Sequence, residues 1–159
     1  MHFTRALQYP MDMFSQDRNA LRKQYFEAWQ KHLGGLPLTP LEAMIADVIA
    51  DHPEYHDLLE SEDLALAREY FPETGETNPF LHMGMHLALR EQVSTNRPAG
   101  IRAVHKQLSR ALGDPLEAEH LMMNHLAEAL WHAQRNGLPP DEKQYMQSLR
   151  ELAKERGRR

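Results

Sequence analysis

The sequence predicts an all-α protein, a single-domain bundle of about six helices. Three observations predict it. N-cap residues stand directly before proline at Thr39-Pro40, Asn78-Pro79 and Asp114-Pro115, the arrangement of a helix start. Apolar residues recur at helical spacing, and no stretch alternates convincingly as a strand.

Taken in order, Ser15 before "QDRNALRKQYFEAWQKHL" predicts a helix over 16–33, with Leu21, Tyr25, Ala28 and Trp29 as its stripe and Gly34-Gly35 as its stop. Thr39 opens a helix over 40–51. Glu42 three residues on completes a capping box, and Leu41, Met44, Ile45, Val48 and Ile49 form the apolar face. One or two shorter pieces fit between Pro53 and Tyr70. "FPETGETNP", from Phe71 to Pro79, reads as a loop between two halves of the chain. Helices over 79–95, 99–112 and 115–136 follow. Gly137 stops the last of these, and Asp141 after Pro139-Pro140 starts a helix over 141–156. Met11 and Met13 are alternative starts, so the expected organisation is an N-terminal extension over 1–12 and one helical domain over 13–159.

The 159 residues suffice to bury a core without staples. Cysteine is absent, which excludes disulfides, a thiolate zinc site and a cysteine nucleophile, so any metal must sit on nitrogen and oxygen. The formal charge of -5, from 18 basic and 23 acidic residues, gives no reason to expect nucleic acid as a partner. The basic end from Lys154 to Arg159 reads as a helix terminus whose cations suit the dipole. No apolar run approaches the ~18 residues of a membrane span, and the N-terminus has no signal-type apolar core. The expected location is the cytoplasm, with no membrane partner.

Ten histidines are the chemical signal. "HMGMH" places His82 and His86 four residues apart, on the side of the helix that carries Met85, Leu89 and Val93. Gly84 between them suits close approach of a neighbouring helix. In "DPLEAEHLMMNHLAEALWHAQRNG", His120 shares a face with Leu116, Met123, Ala127 and Trp131; Glu117 and Glu128 flank that face, while His125 and His132 project elsewhere. Trp131 and the methionines are expected in the core. "DHPEYH" places His52 and His56 four apart, with Pro53 breaking the regular spacing. If short connections make neighbouring helices antiparallel, His82, His86 and His120 fall at similar heights, and His52 or His56 joins them from the end of the helix over 40–51.

Helix N-termini favour neutral imidazoles, the form that binds metal. The expected ligands are His82, His86, His120 and His56, and the expected ion is divalent: zinc first, with nickel, iron or manganese if a carboxylate joins. Glu117 and Glu128 are the candidate catalytic groups, as general base on a bound water or as support for a ligand. "EAEH" supplies only one E-x-x-H unit, which argues against a di-iron bundle. No phosphate-cradling loop, nucleophile elbow or H-E-x-x-H pair is present.

"NPFLHMGMHLALREQ", "RPAGIR" and "EAEHLMMNHLAEALWHAQRNG" resemble the family of small bacterial proteins described as domain of unknown function 1841, from about Met13 onward. The resemblance implies a bacterial, soluble, mostly helical protein and leaves activity open. The histidine pattern is also similar, by analogy, to DinB-like bundles, which hold a metal through three histidines. There the histidine pair falls on the last helix, whereas here "HMGMH" precedes His120. Two functions follow from the residues. The first is a metal-binding bundle, extending to a metal-dependent hydrolase or transferase on a small substrate. The second is a non-enzymatic module that meets a partner or a second copy of itself as a homodimer, its histidines being hydrogen-bonded core residues.

Overall fold

The computed structural model describes residues 18–70 and 77–157. The expected extension over 1–12, the first two residues of the helix expected over 16–33 and most of the loop before Pro79 lie outside them. Among the described residues there are seven α-helices and no strand. They are α1 (Arg18–Leu33), α2 (Pro40–Ala50), α3 (Glu62–Ala67), α4 (Pro79–Thr95), α5 (Ile101–Leu112), α6 (Pro115–Asn136) and α7 (Glu142–Gly157), with 3-10 turns at Pro53–Tyr55 and Leu58–Glu60. Two compact units form, one from Pro10–Leu87 and one that includes Ala88–Arg159. The boundary falls within α4 rather than in the loop before it.

In the first unit α1 packs on α2 and α3. Tyr25 and Ala28 of α1, Ile45, Val48 and Ile49 of α2, and Phe80 and Met83 of α4 are fully buried. Each large one contributes about 1.5–3 kcal/mol by leaving water. Tyr25 meets Phe80 edge to face with centroids 5.8 Å apart. The capping box forms as the sequence predicts: the Glu42 N–H donates to Thr39 Oγ1 at 3.2 Å, and the Thr39 N–H donates to Glu42 Oε1 at 2.9 Å. Besides the buried histidines, one core residue of this unit has no apolar signature. Arg22, on the buried face of α1, is 1 % exposed and donates from Nη1 to the carbonyls of Ala65, Leu66 and Arg68, while its guanidinium lies 4.8 Å from the centroid of Phe80. These carbonyls close the C-terminus of α3, where a cation is favoured. Burial holds the Arg22 guanidinium below its ordinary range.

In the second unit α5 packs on both α6 and α7, and α6 on α7. Ile101, Val104 and Leu108 supply the buried stripe of α5. Gly100, with φ of 98°, enters that helix, and Asn96 Oδ1 accepts from the N–H groups of Gly100 and Arg102. Buried Tyr145 donates its hydroxyl to Gln92 Oε1 at 2.7 Å, and burial pushes its phenol far up, so it stays a donor. On α6 the buried residues are Ala118, Glu119, Met122, Met123 and Leu126. This corrects the expected stripe through Ala127 and Trp131. Trp131 is 53 % exposed, five residues beyond the last buried position, and Arg135 covers its ring at 5.0 Å.

Candidate metal centre

His82 and His86 reach their positions because Asn78 starts α4 where the sequence predicts. Its Oδ1 accepts from the N–H groups of Phe80 and Leu81 at 2.9 and 3.3 Å. The two histidines then stand one turn apart on one face, with His86 fully buried. His52 arrives from α2. That helix ends at Asp51, and His52 takes φ -126° and ψ 68° as the chain enters the turn opened by Pro53. Its ring folds back along its own helix, with Nδ1 2.7 Å from the Val48 carbonyl. A carbonyl only accepts, so Nδ1 carries the proton and Nε2 carries the lone pair.

The three Nε2 atoms converge. His86 Nε2 lies 3.1 Å from His52 Nε2 and 3.1 Å from His82 Nε2. One ligand nitrogen from each of the three residues lies within 4.8 Å of the others. Tyr55 stacks on the His52 ring with centroids 5.4 Å apart, and its own phenol is pushed up by burial, with Glu54 adding to the shift.

When the rings are neutral, hydrogen bonding serves both contacts only by sharing a single N–H between two lone pairs. His52 Nε2 only accepts, so it needs an N–H on His86 Nε2. That nitrogen then has no lone pair left for His82, whose own Nε2 must accept a share of the same N–H. If instead His86 accepts from His82, two lone pairs face each other across the contact with His52. A cation at the centre answers both contacts at once. Tetrahedral zinc, with Zn–N of about 2.05 Å, places its nitrogens about 3.3 Å apart, a small widening of the observed spacing.

Within the first unit the structure therefore unites His82 and His86, as expected, and adds His52 where His56 was expected. His56 Nε2 donates to the Ile49 carbonyl at 2.8 Å, and its ring lies 4.7 Å from that of Trp29. The intervening residues form a 3-10 turn, in which positions four apart differ by about 120° around the axis. His120 belongs to the second unit, partly buried in the second turn of α6. Glu117 is exposed one turn earlier. Glu128 is also exposed and pairs with His132 at 3.6 Å. The carboxylate that the sequence reading passed over is Glu119, 7 % exposed, whose oxygens accept from Arg90 Nε at 2.9 and 3.2 Å.

Fold and site together define an all-helical protein with a buried cluster of histidines fit for a metal ion. The chain belongs to the family described as Domain of unknown function (DUF1841), whose model matches residues 17–151. No curated protein and no solved structure matches it.

Proposed function

We propose that this protein binds a divalent metal ion, zinc foremost, through His52, His82 and His86. The convergence of three Nε2 atoms, whose two 3.1 Å contacts a neutral pattern serves with only one shared N–H, carries the reading. His56 is left out because its Nε2 is engaged by Ile49.

Four protein nitrogens close a tetrahedral zinc site and give it a structural role; three with a water give a reactive one. The finer reading, a metal-dependent hydrolase or transferase on a small substrate, uses the three-nitrogen form. Its candidate bases are the two that the sequence offers, Glu117 and Glu128, of which Glu128 is paired with His132. Nickel, iron or manganese would take the place of zinc if a carboxylate joined. The charge of -5 supports the absence of a nucleic-acid partner, and no described helix is long and apolar enough to cross a membrane. The proposed compartment is the bacterial cytoplasm.

Elemental analysis of untagged protein tests this. The expected result is near-stoichiometric metal in the wild type and in His132→Ala, and loss of metal in His52→Ala and His86→Ala. Metal-free wild type with undiminished stability would return the histidines to the role of packed core residues. That outcome favours the second reading, an interaction or self-associating module, which the exposed Trp131, Leu138, Leu33 and Leu36 support.

A further inference from the structure

Helix α6 outruns the core it packs on. Its last buried residue is Leu126, yet the helix continues for almost three more turns, to Asn136. Propensity alone holds so short a helical stretch only marginally in water, so a contact along it has a stabilising part to play. Trp131 stands in the middle of the stretch, 53 % exposed, and exposed Ala127 lies one turn before it on the same face. Exposed tryptophan is the side chain most typical of an interface anchor.

Charge selects what covers this face. Glu128 and Arg135 are exposed and seven residues apart, so they form one row along the same flank of Trp131. A second copy of α6 laid antiparallel about a twofold axis brings that flank of each helix together. Setting Glu128 of one copy against Arg135 of the other puts the axis between residues 131 and 132 and makes the ion pair twice. The two Trp131 side chains then differ in height by one residue's rise, about 1.5 Å. A parallel pair would set the charged flank against Ala127 and Gln134 instead. Neither existing contact stands in the way. Arg135 lies 5.0 Å from the centroid of the Trp131 ring, and His132 meets Glu128 at 3.6 Å between side chains more than half exposed, a contact that water screens.

We propose that the end of α6 pairs antiparallel with the same segment of a second copy, with Trp131 at the centre and a Glu128–Arg135 ion pair on either side. One helix face of this length buries less than the ~1,600 Å² of a standard interface, so the dimer is weak and reversible, half formed at roughly 100 μM. The surface lies within the second unit, and the proposal stands whether or not the histidine cluster of the first unit holds a metal.

Sedimentation velocity of the full chain, from roughly 5 μM to roughly 1 mM, tests this. A reversible shift from monomer to dimer is expected in the wild type. Trp131→Ala removes the anchor, while Glu128→Arg and Arg135→Glu each place like charges opposite one another twice; all three are expected to raise the dissociation constant at least about tenfold. These positions are exposed, and an unchanged far-UV spectrum checks that each variant is folded. The two charge variants are complementary to each other. Their equimolar mixture, and the double variant Glu128→Arg with Arg135→Glu, are expected to dimerise again. A wild type that stays monomeric throughout would leave this face to a different protein and overturn the proposal. Dimerisation unaffected by Trp131→Ala, or a mixture that recovers none of the association its components lose, would overturn it equally.

Discussion

His52, His56 and Arg22 show what decides a role at the scale of one residue. The spacing of His82 and His86 was readable because both lie on a regular helix. The choice between His52 and His56 was not, because it depends on a 3-10 turn after Pro53 that no helical wheel describes. A local signal did exist: His52 stands four residues after Val48, close enough for its ring to return to that carbonyl. Arg22 carried no sequence signal, since its partners are the carbonyls of Ala65, Leu66 and Arg68, more than forty residues away. Removing it leaves those carbonyls without their donor. Arg22→Met is expected to cost roughly 2–4 kcal/mol in urea denaturation, and Arg22→Lys less, because the ammonium keeps the charge and loses the planar fork. Equal stability of Arg22→Met and wild type would show that the buried guanidinium does not hold α3.

Among the elements, α2 and α6 mark how far periodicity carries. Starts were legible, because capping is local: Thr39, Asn78 and Asp114 all act as the sequence predicts. The extent of burial along α6 was not, since a wheel gives the direction of a face and says nothing of where the neighbouring helix ends. Trp131 therefore lies outside the core although it falls on the face of His120. For α2 the cap gives a quantitative expectation. Thr39→Ala should cost about 1 kcal/mol in thermal or chemical unfolding. Glu42 adds a pH dependence: the hydrogen bond from Lys31, with the backbone N–H of Thr39, holds its carboxyl below the usual carboxylate range. A depressed pKa means that the unfolded chain takes up the proton first. Its contribution to stability is thus present above the unfolded carboxylate value and disappears as pH falls through the folded one. Glu42→Gln should lower stability most at neutral pH, where the carboxylate's contribution is present, and least at the acid end, so that the acid limb flattens; an acid limb of unchanged slope would dismiss this contribution.

For the whole molecule the two readings of function make different demands on stability. The all-α class was legible because helical periodicity runs through most of the chain. The division inside α4 was hidden, because nothing in the residues around Leu87 and Ala88 interrupts the helix. A metal held by His52, His82 and His86 ties the end of α2 to the start of α4, and it binds the folded state far better than the unfolded chain. By mass action, free metal at a hundred times its dissociation constant adds about 2.7 kcal/mol, which for a chain of this size raises Tm by about 5–10 °C. Zinc added back to chelated protein should therefore raise Tm by that amount in the wild type and in His56→Ala, and should leave His52→Ala and His86→Ala unmoved. Self-association makes a different demand: Tm then rises with protein concentration and is indifferent to zinc. Scanning calorimetry at two protein concentrations, with and without zinc, separates the two. A Tm that follows protein concentration alone would assign the stabilising contact to a second chain and remove the metal from the account.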